Sequence, residues 1–136
     1  MILVDTSVLI DYLKGIDNNG VLLFDQILER NIHYGINDYI YQELLQGTRT
    51  IKEFKKLKDY LDTLPFYYLQ FGRESFERAA LLYITCRKAG IAIRSTIDLL
   101  IAETAIENNV LLLHNDKDFD LIAKVFPDLK IYQSSS

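Results

Sequence analysis

The sequence predicts an α/β fold, a three-layer α/β/α arrangement around a central parallel sheet of about five strands. Three observations carry this. Short apolar runs alternate with longer stretches of helical periodicity along the whole chain. The run Val110–His114 is apolar without alternation, the pattern of a strand covered on both faces. Glycines and cap-forming residues punctuate the segments, with no internal repeat and no low-complexity stretch.

Taken in order, Ile2–Asp5 is the first strand, and Thr6 or Ser7 can cap a helix carrying Val8, Leu9, Tyr12 and Leu13. A turn-rich break follows from Gly15 to Gly20. Val21–Glu29 carries a helical stripe of Leu22, Leu23, Phe24, Ile27 and Leu28. Ile32–Ile36 reads as the second strand, after which Asn37 or Asp38 caps a helix through Leu45 that stops at Gly47. Ile51–Leu61 is a strongly charged helix, Phe66–Phe71 a short aromatic third strand, and Glu74–Lys88 a long helix closed by Gly90. Ser95-Thr-Ile-Asp98 has the form of a capping box and opens a helix to about Asn108. The strand Val110–His114, a short helix Phe119–Val125 and a last strand Lys130–Tyr132 complete the fold.

A chain of 136 residues and 15.8 kDa fits one domain, residues 1–132, followed by a short polar tail over 133–136. With 49% hydrophobic residues, 25% charged residues, nine Tyr and seven Phe, it can build a real core, which excludes a disordered protein. Its apolar runs are too short to span a bilayer, so no membrane role is expected. The start Met1-Ile-Leu-Val-Asp5 lacks the basic region of a signal peptide. One cysteine, Cys86, excludes an internal disulfide framework and a thiolate metal cage; a reducing, cytoplasmic setting is expected. The net charge of −4 argues at first against nucleic acid. Setting four carboxylates aside for a metal site leaves 15 charges of each sign, so charge decides nothing here.

The placement of the acids is more telling. In open α/β sheets, sites form beyond the carboxyl ends of the strands. Asp5 closes the first strand, Asp116 follows the Val110–His114 strand, and Asp118 stands close behind. Asp98 lies in the first turn of its helix and Glu43 in the helix after the second strand. Four such carboxylates at one sheet edge repel one another unless cations intervene, and hard oxygen ligands suit Mg²⁺ or Mn²⁺ rather than zinc. His33 and His114 have no spaced partner for zinc.

These segments resemble a known family. Asp5-Thr-Ser-Val-Leu-Ile-Asp11 is similar to the N-terminal motif of PIN domains, the nuclease fold of VapC-type toxins. Glu43 within Tyr41-Gln-Glu-Leu-Leu matches the second acid of that family, and Ile97-Asp-Leu-Leu-Ile-Ala102 its third-acid segment. Leu111-Leu-Leu-His-Asn-Asp-Lys-Asp-Phe119 resembles the fourth. Order and spacing agree from Met1 to about Tyr132. One departure stands out: the family commonly has Thr or Ser where His114 stands, two before Asp116, which bears on the surroundings of the metals rather than on the acids.

The resemblance implies a PIN-like, metal-dependent endoribonuclease that hydrolyses RNA phosphodiester bonds as the toxin of a toxin–antitoxin pair. It also implies Mg²⁺ or Mn²⁺ as cofactor, a homodimer, and a cognate VapB-like antitoxin. Asp5 would be the central ligand with Asp98 and Asp116 beside it, and Glu43 would bind directly or through a water. Thr6 would hydrogen-bond a phosphate or a metal-bound water, and either Asp116 or Asp118 can supply the fourth acid; Arg94, by its place shortly before Asp98, is a candidate RNA contact near the metals.

Each assignment has a plainer alternative. Asp5, Thr6 and Asp118 can be helix caps, Asp98 half of a capping box, and Glu43 and Asp11 solvated helix residues. Arg49, Lys52 and Lys56 share a helix face as a possible phosphate track, or are simply a wetted surface. Cys86 reads as helix packing. Among other functions, a phosphoacceptor receiver domain wants paired acids after the first strand and an acceptor aspartate after the middle one. Asp5-Thr-Ser and Gln70-Phe-Gly offer neither. A catalytically inactive RNA- or protein-binding module on the same fold is the main alternative.

Overall fold

The computed structural model describes residues 1–133; Ser134–Ser136 of the expected polar tail lie outside the described residues. Chain order is β1 (Ile2–Val4), α1 (Thr6–Leu13), α2 (Asn19–Glu29), β2 (Tyr34–Gly35), α3 (Asp38–Gln46), α4 (Ile51–Leu61), α5 (Arg73–Lys88), α6 (Thr96–Asn108), β3 (Leu111–Leu113) and α7 (Lys117–Val125). The sheet is parallel throughout, in the order β2-β1-β3. Central β1 is buried along its whole length, so both its faces are covered. Helices do the covering: α1 packs with α2 and α3, α3 with α4, and α5 with α6 and α7.

The sheet has three strands rather than the expected five. The other two segments touch it through single parallel bridges, Ile36 with Phe66 and Leu112 with Ile131. The reason is visible at the first of these. After Tyr67 N–H donates to the Ile36 carbonyl, the chain is drawn off the sheet by α6: Asn108 Nδ2 donates to the Tyr68 carbonyl, and the Gln70 N–H to Glu107 Oε1. The β2 strand itself stays short and close to this segment. A Cβ on Gly35 would lie 2.5 Å from the Pro65 carbonyl oxygen, so only glycine permits the approach.

Helix starts follow side-chain capping. Asn18, Asn37, Thr50 and Ser95 each accept a backbone N–H as the N-cap of α2, α3, α4 and α6. The first helix is capped by Asp5, not by Thr6 or Ser7. Asp116 caps α7, which therefore begins at Lys117 rather than Phe119. The strand predicted over Val110–His114 narrows to Leu111–Leu113, and Leu111 is exposed. Cys86 is buried in α5 as a packing residue. None of the described helices is long and apolar enough to cross a membrane.

Register places the acids. Ile2 pairs with Tyr34 and Leu111, and Val4 with Leu113, so all three strands end at one edge. Asp5 leaves β1 there, with its N–H donating to the Leu113 carbonyl at 2.9 Å.

Candidate active site

Asp98, Asp116 and Asp118 bring one carboxylate oxygen each to within 4.8 Å of one another. Asp98 arrives on the first turn of α6. Ser95 Oγ accepts its N–H at 3.4 Å, but among the described residues no return bond from its own carboxylate completes the predicted capping box. That carboxylate is left to face the other acids. Asp116 arrives as the cap of α7, accepting the Asp118 N–H at 3.0 Å, and Asp118 is buried in the same turn. Asp116 and Asp118, alternatives from the sequence, thus stand together.

Asp5 is 4% exposed and stands beside this trio. Its Oδ2 accepts the Ser7 N–H at 3.0 Å and the Ser7 hydroxyl at 2.6 Å. Capping and site placement therefore coincide in one side chain. Burial raises its pKa above the usual carboxylate value, against the pull of the two Ser7 bonds. Asp98 is also pushed up, to about 7, first by burial and then by the charges of Asp5, Asp116, Glu43 and Asp118. Four acids delivered by β1, α3 and the β3–α7 turn thus act on one carboxyl group.

Thr6 and Glu43 form a pair, Thr6 Oγ1 donating to Glu43 Oε1 at 2.9 Å. The hydroxyl proton of Thr6 is therefore committed to Glu43 rather than free for a phosphate. Arg94 stands exposed on the loop before α6 and makes no hydrogen bond or ion pair among the described residues. Arg49, Lys52 and Lys56 are likewise exposed. His33 is exposed as well, just ahead of β2.

The His114 side chain is buried, 6% exposed. Its Nδ1 accepts the Asp116 N–H at 3.0 Å, and its Nε2 lies 3.0 Å from Asp120 Oδ1. An Nδ1 that accepts leaves the ring proton on Nε2, where it donates to Asp120. The imidazole thus fixes the backbone of Asp116, and both its nitrogens are occupied, which removes it as a metal ligand. Two further residues of the site escaped the sequence reading. Ser7 bonds Asp5, and it also accepts the Asn115 N–H at 2.9 Å, tying the turn after β1 to the turn after β3. The position of Ser7 beside Asp5 was a signal; Asn115 carried none.

The donor set fits a hard divalent cation. The three oxygens that meet are all carboxylate, and ligands on opposite sides of one Mg²⁺ are separated by about 4.2 Å. A 4.8 Å spread closes to that with small side-chain movements. The raised Asp98 pKa has the sign expected of a cluster that a cation would relieve.

The family model of the PIN domain matches residues 2–125, which include every acid of this cluster. The chain belongs to the PIN domain family. Among its relatives, ribonuclease VapC11 of Mycobacterium tuberculosis is 30% identical over 126 residues, covering 92% of this chain and 93% of that protein. The solved VapBC-1 structure from nontypeable Haemophilus influenzae aligns with a TM-score of 0.73 at 23% identity, over 98% of each chain. A toxin–antitoxin complex from Klebsiella pneumoniae aligns at 0.69 and 18% identity, over 98% of this chain and 100% of that one. These two likenesses show the PIN fold. In this PIN domain the motif segments recognised in the sequence lie on β1–α1, α3, α6 and β3–α7, and those are the elements that meet at the acidic edge.

Proposed function

We propose that this PIN domain, spanning residues 1–132, is a metal-dependent endoribonuclease that hydrolyses RNA phosphodiester bonds and serves as the toxin of a cytoplasmic toxin–antitoxin pair. The observation that carries the reading is the meeting of Asp98, Asp116 and Asp118 within 4.8 Å, beside Asp5 and the Thr6–Glu43 pair. Such a cluster costs stability in the fold that houses it, which makes sense where it has a task. The ribonuclease name of the M. tuberculosis relative supports the nuclease part. The toxin–antitoxin title of the K. pneumoniae complex supports the pairing with an antitoxin.

Asp98, Asp116 and Asp118 would hold the cation, with Asp5 beside them and its orientation set by Ser7. A bound Mg²⁺ or Mn²⁺ would supply positive charge for the phosphate oxygens and a nucleophile at neutral pH. Glu43 is held by Thr6 through one oxygen, which leaves the other to accept a proton from an attacking water. His114 holds the Asp116 backbone in place during the reaction. Arg94 and the Arg49–Lys52–Lys56 face are the exposed cations that would meet the RNA backbone. A homodimer and a cognate VapB-like antitoxin complete the assembly; a basic antitoxin side chain among the acids would offset their charge in place of metal.

The test is induced expression in a bacterial host with total RNA followed over time. Wild type should arrest growth with RNA cleavage, and Asp98→Asn should do neither at equal protein level. Arrest by both chains, with intact RNA, would favour the inactive binding module.

A further inference from the structure

The turn that delivers Asp116 and Asp118 is clamped from the other side of the site by groups that the proposed chemistry does not use. Asn115 Nδ2 donates to Asp11 Oδ2 at 3.1 Å and to Asn18 Oδ1 at 2.9 Å. Asn18 Nδ2 donates to the same Asp11 oxygen at 2.9 Å, and Asn18 Oδ1 also caps α2 through the Val21 N–H at 3.0 Å. The Asn115 N–H meanwhile donates to Ser7 Oγ, whose proton goes to Asp5. A single residue thus ties the β3–α7 turn to the Asp5 turn by its backbone, and to α1 and the α1–α2 loop by its side chain. Space for it is made by Gly20. A Cβ there would lie 1.9 Å from Asn115 Oδ1, far inside any contact distance.

We infer that Asn115 is a positioning residue, which through Ser7 and the Asp11–Asn18 pair sets the separation of Asp5 from Asp116 and Asp118, with Gly20 as the opening that admits it. The inference rests on the proposed cation site. Between its clamped side chain and its bonded N–H, Asn115 has no freedom to let the next residue drift, and Asp116 is that next residue. Asp11, an ordinary helix residue by sequence, becomes the anchor of the clamp. Groups that hold ligands in this way typically matter to cation affinity by ~10- to 100-fold.

Gly20→Ala separates positioning from stability. Alanine is the better helix former, so α2 should hold, while the new methyl expels the Asn115 amide from its clamp. Mn²⁺ binding to the purified chain is measured by titration calorimetry, alongside thermal unfolding in EDTA and kcat and KM for RNA cleavage. Gly20→Ala and Asn115→Ala should each bind Mn²⁺ at least ~10-fold more weakly and lose kcat rather than KM, with Gly20→Ala unfolding no earlier than wild type. The pair Asp11→Asn with Asn115→Asp reverses donor and acceptor across the clamp and should regain part of the affinity that Asn115→Asp alone loses. Wild-type Mn²⁺ affinity in a folded Gly20→Ala chain would overturn the inference, as would weakened stability with unchanged affinity in Asn115→Ala. A wild-type chain that neither binds Mn²⁺ nor cleaves RNA would instead fail the proposed function itself, and the inference with it.

Discussion

Asp98 makes part of the cost of the site readable in one side chain. In the unfolded chain it ionises near 3.8, whereas in the fold burial and then four neighbouring acids hold its proton to about 7. Between those values the unfolded state binds fewer protons, so the cation-free fold loses stability as pH rises from about 4 to 7. Asp98→Asn removes that loss. Because the group is only half-buried, the gain should be on the order of 1–2 kcal/mol at pH 7.5, read by urea unfolding in EDTA. Cleavage should disappear in the same variant. Mn²⁺ should raise the unfolding temperature of wild type and leave Asp98→Asn nearly unmoved, since only a chain that binds the ion is stabilised by it. Ser7→Ala should cost about 1 kcal/mol by stripping the hydroxyl from Asp5, with Ser7→Thr restoring most of it. Asp5, Asp98, Asp116 and Asp118 were legible in the sequence because each sits beside a local mark, a strand end or a helix start; Glu43, inside α3, was picked out by the family motif. Asn115 was not legible, because its partner Ser7 lies 108 residues away and nothing local announces the bond.

The element that joins site to core is α6, and it carries a second pair of carboxyls. Glu103 is 3% exposed, and Glu107 follows one turn later. Glu103 Oε2 and Glu107 Oε2 are both buried without a hydrogen-bond partner among the described residues, and a proton shared between the two carboxyls would satisfy both. Burial and then that shared proton raise Glu103 to about 8. Burial also pushes Glu107 up, but bonds from Glu103, the Gln70 N–H and Ser75 outweigh it and leave it below the usual value. Glu103 keeps its proton in the fold and loses it near 4.5 when unfolded. Stability from this group is therefore full below about 4.5 and falls as pH rises towards 8, by at most about 1.4 kcal/mol per unit. In Glu103→Gln the donor is permanent, so urea midpoints at pH 5.5 and 7.5 should differ less than in wild type. An equal difference in both chains would place the proton elsewhere. Periodicity found every helix, α4 to the residue, because each buries apolar residues, and all but α5 start behind a capping side chain. It overread the sheet at Phe66–Phe71, since aromatic spacing cannot reveal that Asn108 and Glu107 take the backbone groups a neighbouring strand would use.

For the whole molecule, the parallel sheet explains why residues far apart in sequence share a site. Strands that run the same way end together, and side chains delivered at those ends meet. A net charge of −4 reads as repellent to RNA, yet five of the 19 acids are gathered at one edge where divalent cations can answer them. The most direct test of that central claim is cleavage of a mixed RNA pool by the purified chain, in Mg²⁺, in Mn²⁺ and in EDTA, with Asp98→Asn alongside. Wild type should cleave with either ion and not in EDTA, and Asp98→Asn should not cleave at all. Cleavage that persists in EDTA, or in Asp98→Asn, would contradict it.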